Sequence, residues 1–290
     1  MMLIQLAWRN VWRNKKRSLI IWMAIAIGLW AGIFLVSFYN GMISQRLETA
    51  IRQEFSHLQI HDKNWSSEHE LQFTLHDAEK LTNYLHFNDS IVAWSGRIVA
   101  YGMLANARGH SGIKIYGVHP IQEDSLTRMS TKLVEGSYLN PEKTNEIIIG
   151  RGLASKLNAK LKSKIVVTIE GLGGNLISVA LRVVGIFETA NALYDENNAF
   201  TQIHSLDAPA GIPGQIHEMA IFLKQGVPLT TVQSALIDKF SILEVKNWME
   251  ISPELELTSS MTDQMILIYM GIILLALSFG IINTMLMSVL

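Results

Sequence analysis

An uncharged stretch of 21 residues near the start of the chain constrains its fold more than any other feature. The stretch covers residues 18–38, and no charged residue occurs between Arg17 and Arg46. About 20 apolar residues in an α-helix span the hydrocarbon core of a bilayer, and a helix satisfies its own backbone hydrogen bonds there. A core helix of a soluble protein would usually be shorter and keep a polar face. We therefore predict a transmembrane helix at 18–38.

Basic residues in front of this stretch predict its direction through the membrane. The first 17 residues contain no Asp or Glu and five positive charges, at Arg9, Arg13, Lys15, Lys16 and Arg17. Because cytoplasmic flanks carry the excess of Lys and Arg, we interpret 1–17 as an amphipathic cytoplasmic segment and a topology signal. The alternative is the cytosolic end of one long helix. A cleaved signal peptide fits less well, since the apolar run is long and no A-x-A pattern follows it.

A second uncharged stretch occupies residues 264–290, the last 27 of the sequence. It contains small and polar residues that favour close helix packing in lipid: Gly271, Ser278, Gly280, Asn283 and Thr284. We predict a second transmembrane helix that returns to the cytoplasm, which leaves residues 39–263 outside. No basic cluster follows Leu290, and cytoplasmic ends are usually basic. We therefore expect the sequence to be a fragment of a longer protein.

Residues 39–263 are predicted to form an extracytoplasmic α+β domain with stalk helices at 41–54 and 250–263. Strand patterns rich in Ile, Val and Tyr are interspersed with short helices, one of them at 77–87 with Asp77 as its cap. The pattern of strands and helices is interrupted near 119–120 and near 209–213. These two interruptions allow an inserted subdomain at about 120–210. The fold class is therefore a membrane protein with two transmembrane helices flanking an α+β domain.

No pattern in the sequence is typical of a catalytic, cofactor or metal site. The chain has no cysteine and no G-x-x-x-x-G-K-[ST] motif, so any ATPase would be a separate subunit. The glycine-rich residues 171–174 precede a strand pattern and predict a turn. Asp195, Glu196 and Glu188 are interpreted as a solvated loop. The net charge of −1 does not favour a nucleic-acid partner.

Two histidines, His57 and His61, have the H-x-x-x-H spacing of zinc ligands on a helix. They fall in a predicted strand, where about 13 Å would separate them at roughly 3.3 Å per residue. That distance is too long for one ion, so we predict no metal site.

Six segments carry a family resemblance that covers essentially the whole chain. They are LAWRNVWRNKKRS, FYNGMISQRLETAIRQEFSHLQIHDKNW, IYGVHPIQE, EGSYLNPEKTNEIIIGRGLASKLNAKLKSKIVV, LRVVGIFETANALYDENNAF and MILIYMGIILLALSFGIINTMLMSVL. Together they resemble permease subunits of bacterial ABC transporters in the FtsX-like/MacB-like superfamily. Within it, they look like the lipoprotein-releasing (LolC/LolE-type) branch.

The resemblance implies a MacB-like periplasmic core between the first two of four inner-membrane helices. It also implies a dimer with an identical or homologous permease subunit, and a separate or fused ABC ATPase. The expected function is mechanical release of lipoproteins from the inner membrane, with movement passed through the stalks. The alternatives are MacB-like export of peptides or amphiphiles, and an FtsX-like regulator of a cell-wall hydrolase. A membrane-anchored enzyme fits least well. The charged segment after the second helix and helices three and four, which the family has, are not in this sequence.

A lipidated substrate would need a broad apolar surface beside the spans. Large apolar residues that could face lipid or substrate recur near the outer ends of both: Trp30, Phe34, Phe38 and Met42 on the first, and Met261, Met265 and Ile268 on the second. The alternative is that these residues only face lipid or pack helix on helix.

Overall fold

The computed structural model describes residues 15–289, apart from the side chains of Arg17, Ile21, Ser259, Thr262, Asp263, Ile281 and residues 283–289. Two units make up this part of the chain. One unit, here called the helix pair, contains residues 15–47 and 253–289, and the other, the sheet domain, contains residues 48–252. The predicted segment at 1–14, with Arg9 and Arg13, lies outside the described residues.

Helices are interspersed among the strands of the sheet domain, which agrees with the predicted α+β class. The α-helices are α1 Lys15–Ala50, α2 Trp65–Glu68, α3 Ala78–His86, α4 Pro120–Thr127, α5 Arg151–Lys156, α6 Ala192–Asn197, α7 Asp207–Ala210, α8 Leu229–Lys239, α9 Trp248–Ile251 and α10 Pro253–Val289. The strands are β1 Leu58–Asp62, β2 Ile91–Asn106, β3 Gly109–Val118, β4 Leu133–Gly136, β5 Glu146–Gly150, β6 Lys164–Glu170, β7 Leu176–Phe187, β8 Asn198–Gln202, β9 Glu218–Leu223 and β10 Leu243–Asn247. A π-helical turn, Ile51–Phe55, continues α1.

The helix pair contains the apolar stretches of the sequence. Among the described residues, Ser18–Phe55 is a helical run long and apolar enough to cross a membrane, with a mean hydropathy of 2.5. The apolar run Gln264–Gly280 in α10 is shorter, so a second span at 264–290 stays a prediction.

Two glycines of α1 face α10 within the helix pair. A Cβ atom added at Gly28 would lie 2.6 Å from Leu277 Cδ2, and one at Gly32 would lie 3.3 Å from Ile273 Cδ1. This four-residue spacing of small residues lets helix backbones approach closely in lipid. Packing was predicted from the small residues of the second helix, but here the small residues belong to the first.

Ten strands form one sheet that closes on itself along part of its length. The order β10-β1-β9-β2-β3-β8-β5-β7-β4 is completed by β6, which pairs with both β2 and β7. Strands β2, β3, β8, β5, β7 and β6 therefore form a closed ring. Gly102 lies where β2 pairs with β6, and a Cβ atom there would collide with the carbonyl oxygen of Thr168. The long strand β2 also pairs with β9, joining the ring to the strands β9, β1 and β10.

A continuous apolar core fills the ring and extends under helices α3 and α8. The core combines Ile and Val residues of β5, β6 and β7 with Leu81 and Leu85 of α3 and with Val232 and Leu236 of α8.

Three local predictions are wrong. Asp77 does not cap α3; it has φ +58° and pairs with Lys80 at 2.9 Å. Asp195 is buried on α6. The stalk at 250–263 is interrupted at Ser252, between α9 and α10.

Candidate functional site: the anchored end of the first helix

The helical run that starts in the apolar stretch ends inside the sheet domain. After Ala50 the helix widens into the π turn, and Ser56 N donates to Ile51 O at 2.6 Å to close it. Ser56 then has φ +61° and ψ +174°, a backbone region that is essentially restricted to glycine. Its hydroxyl is buried and has no hydrogen-bond partner in the described part of the chain. A π turn and a strained residue therefore mark the place where helix becomes strand.

Arg52 of the π turn lies against a phenylalanine of the sheet. Its guanidinium carbon lies 4.1 Å from the ring centroid of Phe222, and Nη1 donates to Leu126 O of α4 at 3.4 Å. The ring of His57 packs 4.3 Å from the same phenylalanine, and its Nδ1 accepts from Leu223 N at 3.1 Å. Burial, together with the charge of Arg52, lowers the pKa of His57. The imidazole is thus kept neutral, as its acceptor role requires.

Two further contacts attach the π turn to α6. The Glu54 carboxylate accepts from Asn191 Nδ2 at 3.0 and 3.1 Å, and Gln53 O accepts from Tyr194 Oη at 3.2 Å. Asn191 also caps α6, because its Oδ1 accepts from Leu193 N and Tyr194 N. One asparagine therefore holds both the start of α6 and the end of the first helix. Hydrogen bonds to a charged group are stronger than neutral ones.

The chain leaves the sheet domain beside the place where it came in. Leu58 of β1 and Asn247 of β10 are paired residues, and Trp248 N donates to His57 O at 3.2 Å. Asn247 and Glu250 form a reciprocal capping box at the start of α9. Both connections to the helix pair therefore belong to one hydrogen-bonded edge of the sheet domain.

A buried ion network also contacts α4. Arg97 of β2 donates to Glu123 of α4 through Nε at 2.9 Å and Nη2 at 2.7 Å, and to Glu218 of β9 through Nη1 at 2.6 Å. Burial disfavours the Arg97 charge, but Glu123 and Glu218 more than offset this and raise its pKa. Helix α4 is therefore held by Arg97 through the Glu123 side chain and by Arg52 through the carbonyl oxygen of Leu126.

Sequence reasoning missed this network, and a signal for it was present. Arg97 and Lys114 each interrupt an apolar strand pattern, in SGRIVA and GIKIYG. A charged residue inside a run that is otherwise buried requires a buried partner. The partners, Glu123 and Glu218, come from a helix and a strand that are distant in sequence, so the pairing itself needed the fold.

The residues proposed to face lipid or substrate are all exposed within the helix pair. Trp30 and Phe34 stack at 5.6 Å between ring centroids, and Phe34 and Phe38 stack at 6.1 Å. At about 3.6 residues per turn, these rings lie at least a quarter turn away from the glycine face of α1. The same count turns Met261, Met265 and Ile268 away from the face of α10 that contacts α1. The two stripes are therefore on outward faces, and Met42 is exposed as well.

Other predicted positions are placed but not assigned a role. Lys15 and Lys16 are exposed at the start of α1, and the side chain of Arg17 lies outside the described part. His57 and His61 are engaged with Leu223 N and with Gln59. Among residues 15–289, no group of three or more His, Asp or Glu side chains could hold a metal ion. Residues 171–174 form the turn between β6 and β7, as predicted.

Comparison with known families gives one extended match. Residues 18–239 match the family described as the MacB-like periplasmic core domain. A curated relative, the lipoprotein-releasing system transmembrane protein LolC of Neisseria meningitidis serogroup B, is 26% identical over 198 residues. That alignment covers 63% of this chain and 43% of the relative, so the chain spans less than half of the relative's length.

Two solved structures align with part of this chain. The periplasmic region of MacB from Actinobacillus actinomycetemcomitans aligns with a TM-score of 0.48 and 13% identity, covering 69% of this chain and 92% of that one. The extracellular domain of the ABC-type transporter YknZ from Gram-positive bacteria aligns with a TM-score of 0.45 and 14% identity, covering 66% and 99%.

Proposed function

Because this chain belongs to the MacB-like periplasmic core domain family, we propose that it is a permease subunit of an ATP-driven ABC transporter. The uncharged part of α1 crosses the inner membrane and α10 supplies a second span. The sheet domain is extracytoplasmic. A separate ABC ATPase binds on the cytoplasmic side, and an identical or homologous permease subunit completes a dimer.

The anchored end of the first helix is the observation that supports a mechanical role. Helix α1 continues without a break into the π turn. There Arg52 contacts α4, and Gln53 and Glu54 contact α6 and its cap. A movement of α1 is therefore passed to α4, α6 and β9 rather than absorbed in a loose linker. Rigid elements that pass on movement are a common basis of conformational coupling.

Lipoproteins are the substrate class that we propose. The named relative is a lipoprotein-releasing protein, and the stacked rings of Trp30, Phe34 and Phe38 give the outward face of α1 a continuous apolar surface. Burial of acyl chains contributes about 0.8 kcal/mol per CH₂ group, so such a surface suits a lipidated substrate.

The test measures ATP-driven lipoprotein release and asks whether it depends on the anchored end of α1. The full chain, with its ATPase and any longer C-terminal part, is reconstituted with a fluorescent lipoprotein, and release is measured with ATP. The double variant Arg52→Ala/Asn191→Ala should bind the ATPase normally but release lipoprotein between about fivefold and 150-fold more slowly, the range of typical coupling energies. Arg46→Ala, which removes an exposed cation of the same helix, is the matched control and should release normally.

Four outcomes would contradict the proposal in different ways. Normal release by the double variant, with the sheet domain folded, would remove the mechanical role of the anchor. ATP-driven export of peptides without lipoprotein release would favour the MacB-like alternative, and activation of a cell-wall hydrolase would favour the regulator. Photocrosslinkers at Phe38 and Met265 should capture the lipoprotein; crosslinks only to phospholipid or to a second permease would remove these residues from the substrate path.

A further inference from the structure

A small cavity with three basic residues opens at one end of the closed ring, far in sequence from the anchored helix end. Its volume is about 230 Å³, and it lies between the β2–β3 turn and the loop that joins α5 to β6. The lining residues are Asn106, Ala107, Arg108, Asn158, Lys160, Ser163 and Lys164. No carboxylate is among them. We call this the cationic cavity.

Hydrogen bonds hold the two walls of the cationic cavity together. Asn106 Nδ2 donates to Leu157 O at 2.8 Å, and Arg108 Nη1 donates to Asn158 O at 3.0 Å. Ser163 Oγ accepts from Lys160 N at 3.0 Å, so its own proton can be donated elsewhere. The walls are therefore fixed by the chain itself, and several donor groups remain available.

The positive charge at this place is not neutralised by the fold. Lys164 and Arg182 are exposed and directly opposite each other on β6 and β7, an arrangement of like charges that costs stability. Glu146 of β5 is paired with Arg182, but its carboxylate accepts from Asn140 N at 2.9 Å and forms an ion pair with Lys143 at 3.3 Å. In the part of the chain that the structure describes, no ion pair involves Arg108, Lys160, Lys164 or Arg182.

The loop that carries these cations also has an unfavourable backbone. Lys162, between Lys160 and Lys164, has φ +67°, a conformation that favours glycine. Asn158, at the start of the same loop, has φ +48°. An exposed lysine is thus held in a conformation that costs free energy, beside two other lysines. Folding alone gives no reason for this concentration of charge.

We propose that the cationic cavity binds a phosphate group. Arg108 offers a planar fork of N–H donors, Lys160 and Lys164 offer ammonium groups, and Ser163 offers a hydroxyl. This donor set suits the anionic oxygens of a phosphate monoester or diester. Pockets for drug-sized ligands usually measure about 300–1,000 Å³, so this cavity has room for one phosphate group and not for a whole nucleotide. The group belongs either to a free phosphate ester or to a lipid head group.

The binding test uses the full chain in neutral detergent micelles at constant ionic strength. Inorganic phosphate and short-chain phosphatidylglycerol are titrated separately in a calorimeter, with chloride as the balancing ion. Each titration gives the dissociation constant of its own ligand. The triple variant Arg108→Gln/Lys160→Gln/Lys164→Gln should weaken binding by about tenfold or more, since each charged hydrogen bond alone is worth about that factor. The control triple Lys63→Gln/Arg128→Gln/Lys224→Gln removes exposed cations elsewhere in the sheet domain and should bind as the unmodified chain does.

A second measurement needs no variant. Saturating phosphate should slow the acetylation of Lys160 and Lys164 by a water-soluble reagent and leave Lys63 and Lys224 unaffected, as followed by mass spectrometry. Tighter binding of phosphatidylglycerol than of phosphate would assign the site to a lipid head group, and the reverse order would assign it to a soluble ester. Equal weakening in both triple variants, no saturable heat with either probe, unprotected lysines, or binding of an acidic peptide but not of phosphate would overturn the proposal.

Discussion

His217 is a buried side chain of the sheet domain with a contact on each ring nitrogen. Its Nδ1 accepts from Val99 N at 3.3 Å, its Nε2 contacts Leu71 O at 3.0 Å, and its ring stacks 4.5 Å from Trp65. An acceptor on one nitrogen and a donor on the other is possible only for the neutral imidazole. Burial lowers the pKa of His217 to about 4.

The first prediction is a loss of stability in mild acid. Because the folded pKa of about 4 lies below the ordinary value of 6.5, the contribution of neutral His217 is fully present above pH 6.5. It is lost as the pH falls from 6.5 to 4, and the loss amounts to about 3 kcal/mol at about 1.36 kcal/mol per pKa unit. Thermal unfolding of the full chain in detergent, recorded across this window, measures it.

The variant His217→Gln keeps an acceptor and a donor but cannot titrate. It should be less stable at pH 7, because it loses the stacking on Trp65, yet its stability should depend less steeply on pH. His110→Gln, at an exposed position, is the control and should keep the original slope. An unchanged slope in His217→Gln would assign the acid sensitivity to other buried histidines, such as His61, whose pKa is also lowered by burial.

Ser56, directly after the π turn, has a strained backbone conformation. The second prediction concerns the free energy that this strain costs. Residues held in such a backbone region cost about 1–3 kcal/mol. Ser56→Gly should relieve this cost, whereas Ser56→Ala removes the same hydroxyl but keeps the strain. The glycine variant should therefore unfold at a higher temperature than the alanine variant. Equal midpoints would show that the conformation of Ser56 carries no strain.

Most elements of the sheet domain were predictable because their patterns are local. The strands at 91–106, 146–150, 176–187 and 218–223 follow from apolar runs rich in β-branched residues. The anchor was not predictable. Glu54 and Asn191 are 137 residues apart in sequence, and no local pattern relates a carboxylate on a stalk to a helix cap. The π turn itself reads as ordinary helix in the sequence.

Helix α1 has two faces with different partners. Gly28 and Gly32 face Leu277 and Ile273 of α10, and the stacked aromatic rings occupy the other side. Gly41, by contrast, has no atom near the position of an added Cβ. We expect the aromatic side of α1 to be the part that contacts lipid, a lipidated substrate or a second permease subunit.

The chain as a whole is organised by its two connections to the sheet domain, which share one edge of that domain. If one extracytoplasmic domain is inserted between two neighbouring membrane helices, the chain must enter and leave that domain at adjacent points. The direction of insertion is then a matter of charge, because Lys and Arg near the end of a span favour the cytoplasm. We predict that Arg9, Arg13, Lys15, Lys16 and Arg17 supply this signal for the whole molecule.

The last prediction concerns this topology. The chain has no native cysteine, so Asn145→Cys, at an exposed position of the sheet domain, gives a single label site. Gly173 is a poorer site, because its φ of +78° would strain a cysteine. An impermeant thiol reagent should label Asn145→Cys in intact spheroplasts. When Arg13, Lys15, Lys16 and Arg17 are all changed to Gln, part of the protein should become unlabelled because its sheet domain remains in the cytoplasm, or less should be inserted. If labelling is unchanged, the basic segment does not orient the chain; if Asn145→Cys is never labelled, the sheet domain is not outside.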